Sequence, residues 1–172
     1  MKEFNELVRA IADFPKIGVT FRDVTPLLAD AESFARCIDA LAEPWLHADV
    51  QVVCGIDARG FIFGAALAQK MRAGFVPLRK SGKLPPPVVG VDYELEYGTD
   101  RLEARSDSLR RGQRVIIADD VLATGGTLAA AAGLVDRLGG YLIGASVLIE
   151  LDGLDGRSRW PSDKPLHSLL NY

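Results

Sequence analysis

The chain has 172 residues, 48% of them hydrophobic, with 20 Lys and Arg against 23 Asp and Glu and a net charge of -3. That describes one globular domain, large enough to build a core without disulfide or metal staples. The negative balance excludes a surface made chiefly for nucleic-acid backbones, and no apolar stretch is long enough to span a bilayer.

Cys37 and Cys54 stand far apart in apolar contexts and read as buried free thiols of a reducing compartment. No Cys-x-x-Cys or His/Cys ligand spacing points to structural zinc. With no apolar leader-like segment near the start either, a cytoplasmic protein is expected.

Taken in chain order, Phe4, Leu7, Val8 and Ile11 recur at i, i+3, i+4 and i+7, which predicts an opening amphipathic helix that stops before Pro15. Phe34, Cys37, Ile38, Leu41 and Trp45 share one face of a second helix, with Asp30 or Ser33 as its cap. Residues 50–56 read as a buried strand running into Asp57-Ala58-Arg59-Gly60 and a helix over 61–71. A short strand at 75–79 follows. From 80 to 87 the chain is basic and Pro-rich, a loop by composition. Residues 91–97 alternate strictly, and with a turn at 98–100 they predict a hairpin. The core pattern resumes with a strand from Val115, a helix to about residue 138 and a strand at 142–149. Strands alternating with helices imply an α/β fold with a mainly parallel sheet and right-handed crossovers.

The most informative run is Val115-Ile116-Ile117-Ala118-Asp119-Asp120-Val121-Leu122-Ala123-Thr124-Gly125-Gly126-Thr127. An apolar strand ends in two carboxylates, then a small glycine- and hydroxyl-rich turn leads into an alanine-rich helix from about Thr127. Gly125 and Gly126 let the backbone take positive φ and turn successive N–H groups toward one anion. The helix start adds its dipole, and the Thr124 and Thr127 hydroxyls can donate to phosphate oxygens. Asp119 and Asp120 sit where a parallel strand leaves its sheet, the place where open α/β folds bind ligands. Carboxylates there can accept from ribose hydroxyls or hold Mg²⁺ through water. Glycines alone would equally suit a tightly packed connection, but two acids ending a buried strand need a partner. A phosphorylated sugar suits every part. The pattern is neither the P-loop nor G-x-G-x-x-G.

With these pieces in order, the chain resembles the adenine phosphoribosyltransferases, of the type I phosphoribosyltransferase fold, over nearly its whole length. Besides the central run, the resemblance is carried by Phe14-Pro15-Lys16, by Gly18-Val19-Thr20-Phe21-Arg22-Asp23-Val24-Thr25-Pro26-Leu27-Leu28, and by Gly55-Ile56-Asp57-Ala58-Arg59-Gly60-Phe61. Leu78-Arg79-Lys80, Gly82-Lys83-Leu84-Pro85, Tyr93-Glu94-Leu95-Glu96-Tyr97-Gly98, Leu148-Ile149-Glu150-Leu151 and His167-Ser168-Leu169-Leu170 complete it. It implies a single domain over 1–172, a twisted, mainly parallel sheet flanked by helices, with a small base-binding hood at 1–30 and a flexible flap hairpin at 80–104.

The implied reaction transfers 5-phosphoribosyl from phosphoribosyl pyrophosphate to adenine, giving AMP and pyrophosphate, with Mg²⁺ held mainly by pyrophosphate and water rather than directly by side chains. By position, Ala123, Thr124, Gly125, Gly126 and Thr127 would hold the 5-phosphate, and Asp119 and Asp120 would face the ribose. Ala58, Arg59, Arg79, Lys80 and Lys83 would meet pyrophosphate, partly from a neighbouring subunit of a homodimer. Phe21 and Leu151 would sandwich the purine, with Thr20 and Arg22 at its edge, and Glu96 would assist proton transfer. Two departures from the family pattern stand out: Pro85-Pro86-Pro87 should stiffen the entry to the flap, and the small Ala118 precedes the acid pair. Transfer to another purine base, or a regulator that binds phosphoribosyl pyrophosphate, are the alternatives; no DNA-binding extension or basic face favours the latter.

Overall fold

The structure, a computed structural model, describes residues 3–94 and 98–172. Contacts divide the chain into two compact units, Met1–Ala40 and Leu41–Tyr172.

In the first unit the expected opening helix is absent. Phe4–Leu7 form a single 3₁₀ turn, and Arg9–Ile11 form a strand, β1, paired antiparallel with β2 (Phe21–Asp23). The helical spacing covers only eight residues, too few to hold a helix by itself. Strand pairing instead sets Arg9 opposite Asp23, where the two form an ion pair at 3.0 Å. A five-residue helix, α1 (Thr25–Ala29), follows; the Thr25 N–H donates to Asp23 Oδ1. Helix α2 (Ala31–Ala42) begins under Asp30, whose Oδ1 accepts from the Ser33 N–H at 2.9 Å, so Asp30 is the cap and Ser33 lies inside the helix. Pro44 ends the pattern early, leaving Trp45 on the 3₁₀ turn Glu43–Trp45.

The second unit is built on a sheet. Its strands are β3 (Val52–Ile56), β4 (Gly74–Lys80), β5 (Val88–Glu94), β6 (Thr99–Arg105), β7 (Arg114–Leu122), β8 (Tyr141–Glu150) and β9 (Leu166–Asn171), in the order β5-β6-β4-β3-β7-β8-β9. The five strands from β4 to β9 in that order are parallel; β6 runs antiparallel to β4, and β5 to β6. Two helices complete the layers, α3 (Gly60–Met71) after β3 and α4 (Gly126–Arg137) after β7. Alternation along β7 divides its side chains. Val115 and Ile117 join the cluster that includes Leu128, Ala131 and Leu134 of α4. Ala118 faces the other way, toward Gly64 of α3. On that same face Trp45 donates to Ser146 Oγ at 2.7 Å and fills the space over Gly144, where no Cβ would fit.

Boundaries differ from the sequence expectation in several places. The hairpin starts at Val88 rather than 91, and Arg137 ties it to α4 through a 2.7 Å hydrogen bond to the Gly90 carbonyl. Strand β7 does not stop at the acids but runs on to Leu122, still paired with β8. Strand β9, which the composition of the tail did not reveal, closes the sheet beside β8.

Candidate active site

Strand order puts the site where the topology reverses. The chain leaves β3 through α3 to β4 on one side, and leaves β7 through α4 to β8 on the other, so the crevice opens between β3 and β7. Pairing between them ends at Gly55 and Ala118, while β7 continues. Asp119 and Asp120 therefore lie where one neighbouring strand has already left.

Both acids are buried, Asp119 9% and Asp120 6% exposed. The Asp120 N–H donates to Asp119 Oδ1 at 2.9 Å. Arg59, at the start of α3, reaches across the crevice and sets Nη2 2.7 Å from Asp120 Oδ2. Among the described residues that buried Oδ2 has Arg59 as its ion-pair partner and no hydrogen bond of ordinary geometry. Burial, reinforced by the charge of Asp120, holds the Asp119 carboxyl well above its ordinary range; burial also raises Asp120, with Arg59 opposing. Gly60 allows this closeness, since a Cβ there would stand 2.6 Å from Asp119 Oδ1.

The glycine turn follows. Gly125 has φ of 80° and caps α4, which begins at Gly126, one residue before the expected start. Residues 121–125, 127 and 128 enclose a small cavity of about 60 Å³, room for roughly four water-sized groups, the scale of a phosphate's oxygens. Thr124 and Thr127 line it. A Cβ on Gly126 would come within 2.9 Å of the Glu94 carbonyl, so the end of β5 reaches this turn. Glu96 lies outside the described residues.

The basic residues assemble around a group the sequence reading passed over. Asp57, its side chain 3% exposed, accepts from Arg79 Nε and the Lys80 N–H at 3.3 Å each and from Lys83 Nζ at 3.0 Å. Burial pushes its carboxyl upward, but Lys83, the Lys80 amide and Arg79 outweigh it, and the net shift is down. The Lys80 ammonium instead meets Tyr93 and Asp100 of the hairpin. Burial opposes its charge, yet Asp100 and Tyr93 raise its pKa overall. The peptide between Asp57 and Ala58 is cis. A signal for Asp57 was present, since a lone acid preceding Arg59 at a strand end needs cations.

Of the residues implied for adenine, Leu151 follows β8 and its N–H donates to the Leu122 carbonyl at 2.9 Å. In the first unit Phe21 and Arg22 lie on β2 after an exposed Thr20, and the Phe21 ring meets Phe14 edge-to-face at 5.2 Å. In the loop before the hairpin, Arg105 donates to the carbonyls of Pro85 and Pro86 at 3.3 and 2.8 Å.

The profile of the family described as "Phosphoribosyl transferase domain" matches residues 24–167. An adenine phosphoribosyltransferase of Xanthomonas axonopodis pv. citri is 55% identical over 167 residues, 97% of this chain and 90% of that one. The chain belongs to the adenine phosphoribosyltransferases. The crystal structure of the Rhodothermus marinus adenine phosphoribosyltransferase superposes with a TM-score of 0.95 at 46% identity, covering 98% of this chain and 96% of that one. The Saccharomyces cerevisiae adenine phosphoribosyltransferase, solved with an imino-altritol bisphosphate and adenine, gives 0.92 at 37% identity over 97% and 96%. The mainly parallel sheet with flanking helices is thus the fold of the adenine phosphoribosyltransferases.

Proposed function

We propose that this protein transfers the 5-phosphoribosyl group of phosphoribosyl pyrophosphate to adenine, releasing pyrophosphate and forming AMP. The observation that carries the reading is the buried Asp119–Asp120 pair beside a phosphate-sized glycine turn, with Arg59 across the crevice. Breaking the anomeric C–O bond builds oxocarbenium-like charge on the sugar. Carboxylates along the ribose stabilise that charge, and Asp119 and Asp120, buried at the crevice, are the acids that would accept from ribose hydroxyls. The turn at 123–127 holds the 5-phosphate with its amides and the Thr124 and Thr127 hydroxyls.

Pyrophosphate is met by Ala58 through its backbone and by Arg59, Arg79, Lys80 and Lys83. Its oxygens would take over cations now shared with Asp57, Tyr93 and Asp100. By the resemblance, Thr20, Phe21, Arg22 and Leu151 would contact adenine, and Glu96 would assist proton transfer.

Mg²⁺ fits this donor set as a partner of pyrophosphate oxygens and water, whose shell the buried Asp119 and Asp120 carboxylates could accept from. When bound it would neutralise charge on the leaving pyrophosphate. The exposed Ile62 and Ala65 on α3 support a homodimer. Two buried free thiols, each held by burial at a pKa of about 12, fit a reducing cytoplasm.

The test is direct. The purified protein, mixed with adenine, phosphoribosyl pyrophosphate and Mg²⁺, should yield AMP, and hypoxanthine, guanine and xanthine should react far more slowly. No AMP, or faster turnover of another base, overturns the reading.

A further inference from the structure

Behind the glycine turn lies a segment that none of the expected site residues includes. The 3₁₀ turn Gly156–Arg159 passes directly against it. A Cβ on Gly156 would stand 2.1 Å from the Ala123 carbonyl oxygen, and a Cβ on Gly125 would stand 2.1 Å from the Gly156 carbonyl oxygen. Two backbones therefore interlock through two glycines, with no room for a side chain on either. The turn cannot take up this shape unless Gly156 stays where it is.

What holds Gly156 is the next residue. Arg157 Nε donates to Glu150 Oε1 at 2.9 Å and Nη2 donates to Glu150 Oε2, a bidentate fork on a carboxylate whose side chain is 9% exposed at the end of β8. The same guanidinium donates to the Leu166 carbonyl at 2.8 Å and to Ser168 Oγ at 3.3 Å, both on β9. One side chain thus binds the segment to the ends of two strands. On the near side, Leu122 and Glu150 are register partners, so the glycine turn leaves β7 level with the point where Arg157 is anchored.

We propose that Arg157 is a positioning residue for the sugar phosphate: by fixing Gly156 against Ala123 and Gly125 it holds the glycine turn in its anion-binding shape. It touches no substrate. Its effect should fall on ligands that carry the 5-phosphate and spare free adenine. Leu151, beside Glu150, keeps its own backbone hydrogen bond to Leu122 and does not depend on the fork.

The inference rests on the proposed transferase reading, so its test has a readout that survives failure of that reading. In Arg157→Ala the KM for phosphoribosyl pyrophosphate should rise about tenfold or more, since misplacing a binding group by an ångström carries losses of that order, while the KM for adenine stays put. Calorimetric titration with ribose 5-phosphate should show the same loss without any turnover. Arg157→Lys should restore little, because an ammonium cannot reproduce the fork. Gly156→Ala, which leaves the fork intact but pushes the turn, should give the same pattern and stands in if Arg157→Ala does not fold. Unchanged affinity for ribose 5-phosphate in a folded variant, or an equal rise in both KM values, overturns the proposal. A wild-type protein that binds ribose 5-phosphate but makes no AMP overturns only the transferase reading.

Discussion

Asp119 should cost the fold stability at neutral pH. Its carboxyl is raised by burial and by Asp120, so folding favours its protonated form. A raised carboxyl contributes its full stability below the free value of 3.8, and loses it as pH rises toward the folded pKa. Asp119→Asn keeps an oxygen for the Asp120 N–H and removes that loss. The variant should melt higher than the parent at pH 7, with the gap closing as pH falls toward 4, each kcal/mol appearing as roughly 2–4 °C. Turnover should fall about a hundredfold or more, as when one preorganised charge-stabilising group is removed. Thermal scans across pH beside initial rates would read both; equal melting at all pH values would mean that the acid pair is not strained. Asp57 has the opposite sign. Its net depressed pKa adds stability above 3.8 that disappears as pH falls through the folded value, so Asp57→Asn should lower the melting temperature at pH 7 and matter least in acid.

At the level of elements, the glycine turn works because three backbones meet there, and only one was visible from its own sequence. Gly125→Ala places an L-residue at φ of 80°, which costs about 1–2 kcal/mol, and drives its Cβ into the Gly156 carbonyl. Gly126→Val pushes a branched side chain against the Glu94 carbonyl, 2.9 Å away, at the mouth of the anion site. Both variants should lose measurable binding of ribose 5-phosphate while far-ultraviolet circular dichroism stays native; normal binding would put the phosphate elsewhere. The acids, the turn and the helix after it were legible because strand, glycines and helix are contiguous in sequence. Gly156 was not, since its reason for being glycine lies some thirty positions away in Ala123 and Gly125. Local periodicity failed outright at the N-terminus. There Phe4, Leu7, Val8 and Ile11 scan as a helix, yet the pairing partner that makes a strand of Arg9–Ile11 lies ten residues further on. Strand β9 was hidden for a related reason: two charged residues and a proline interrupt the approach to it, and among the described residues it pairs with β8 alone.

At the scale of the molecule, part of the surface of helix α3 is apolar and exposed. Helix α3 reads Gly-Phe-Ile-Phe-Gly-Ala-Ala-Leu-Ala-Gln-Lys-Met, apolar around nearly its whole circumference. Such a helix is ordinarily buried on all sides. Phe63, Leu67 and Ala68 are buried, but Ile62 is 41% exposed and Ala65 lies open beside it. The same helix starts at the crevice, one residue after Arg59, so a second copy seated on this face would lie close to the pyrophosphate residues. The family resemblance implies that the pyrophosphate cations come partly from a neighbouring subunit. Cyclic dimers use one self-complementary patch on both copies, so a single substitution is felt twice. Ile62→Asp would bury two unpaired carboxylates at several kcal/mol, raising the dimer dissociation constant about a hundredfold or more. Sedimentation velocity should give a dimer for the parent at micromolar concentration and a folded monomer for the variant. A parent that sediments as a monomer removes the homodimer, and a variant that stays dimeric moves the interface away from α3. If the dimer supplies cations to the neighbouring crevice, the monomeric variant should also bind pyrophosphate more weakly than the parent, a loss that calorimetry can measure independently of turnover.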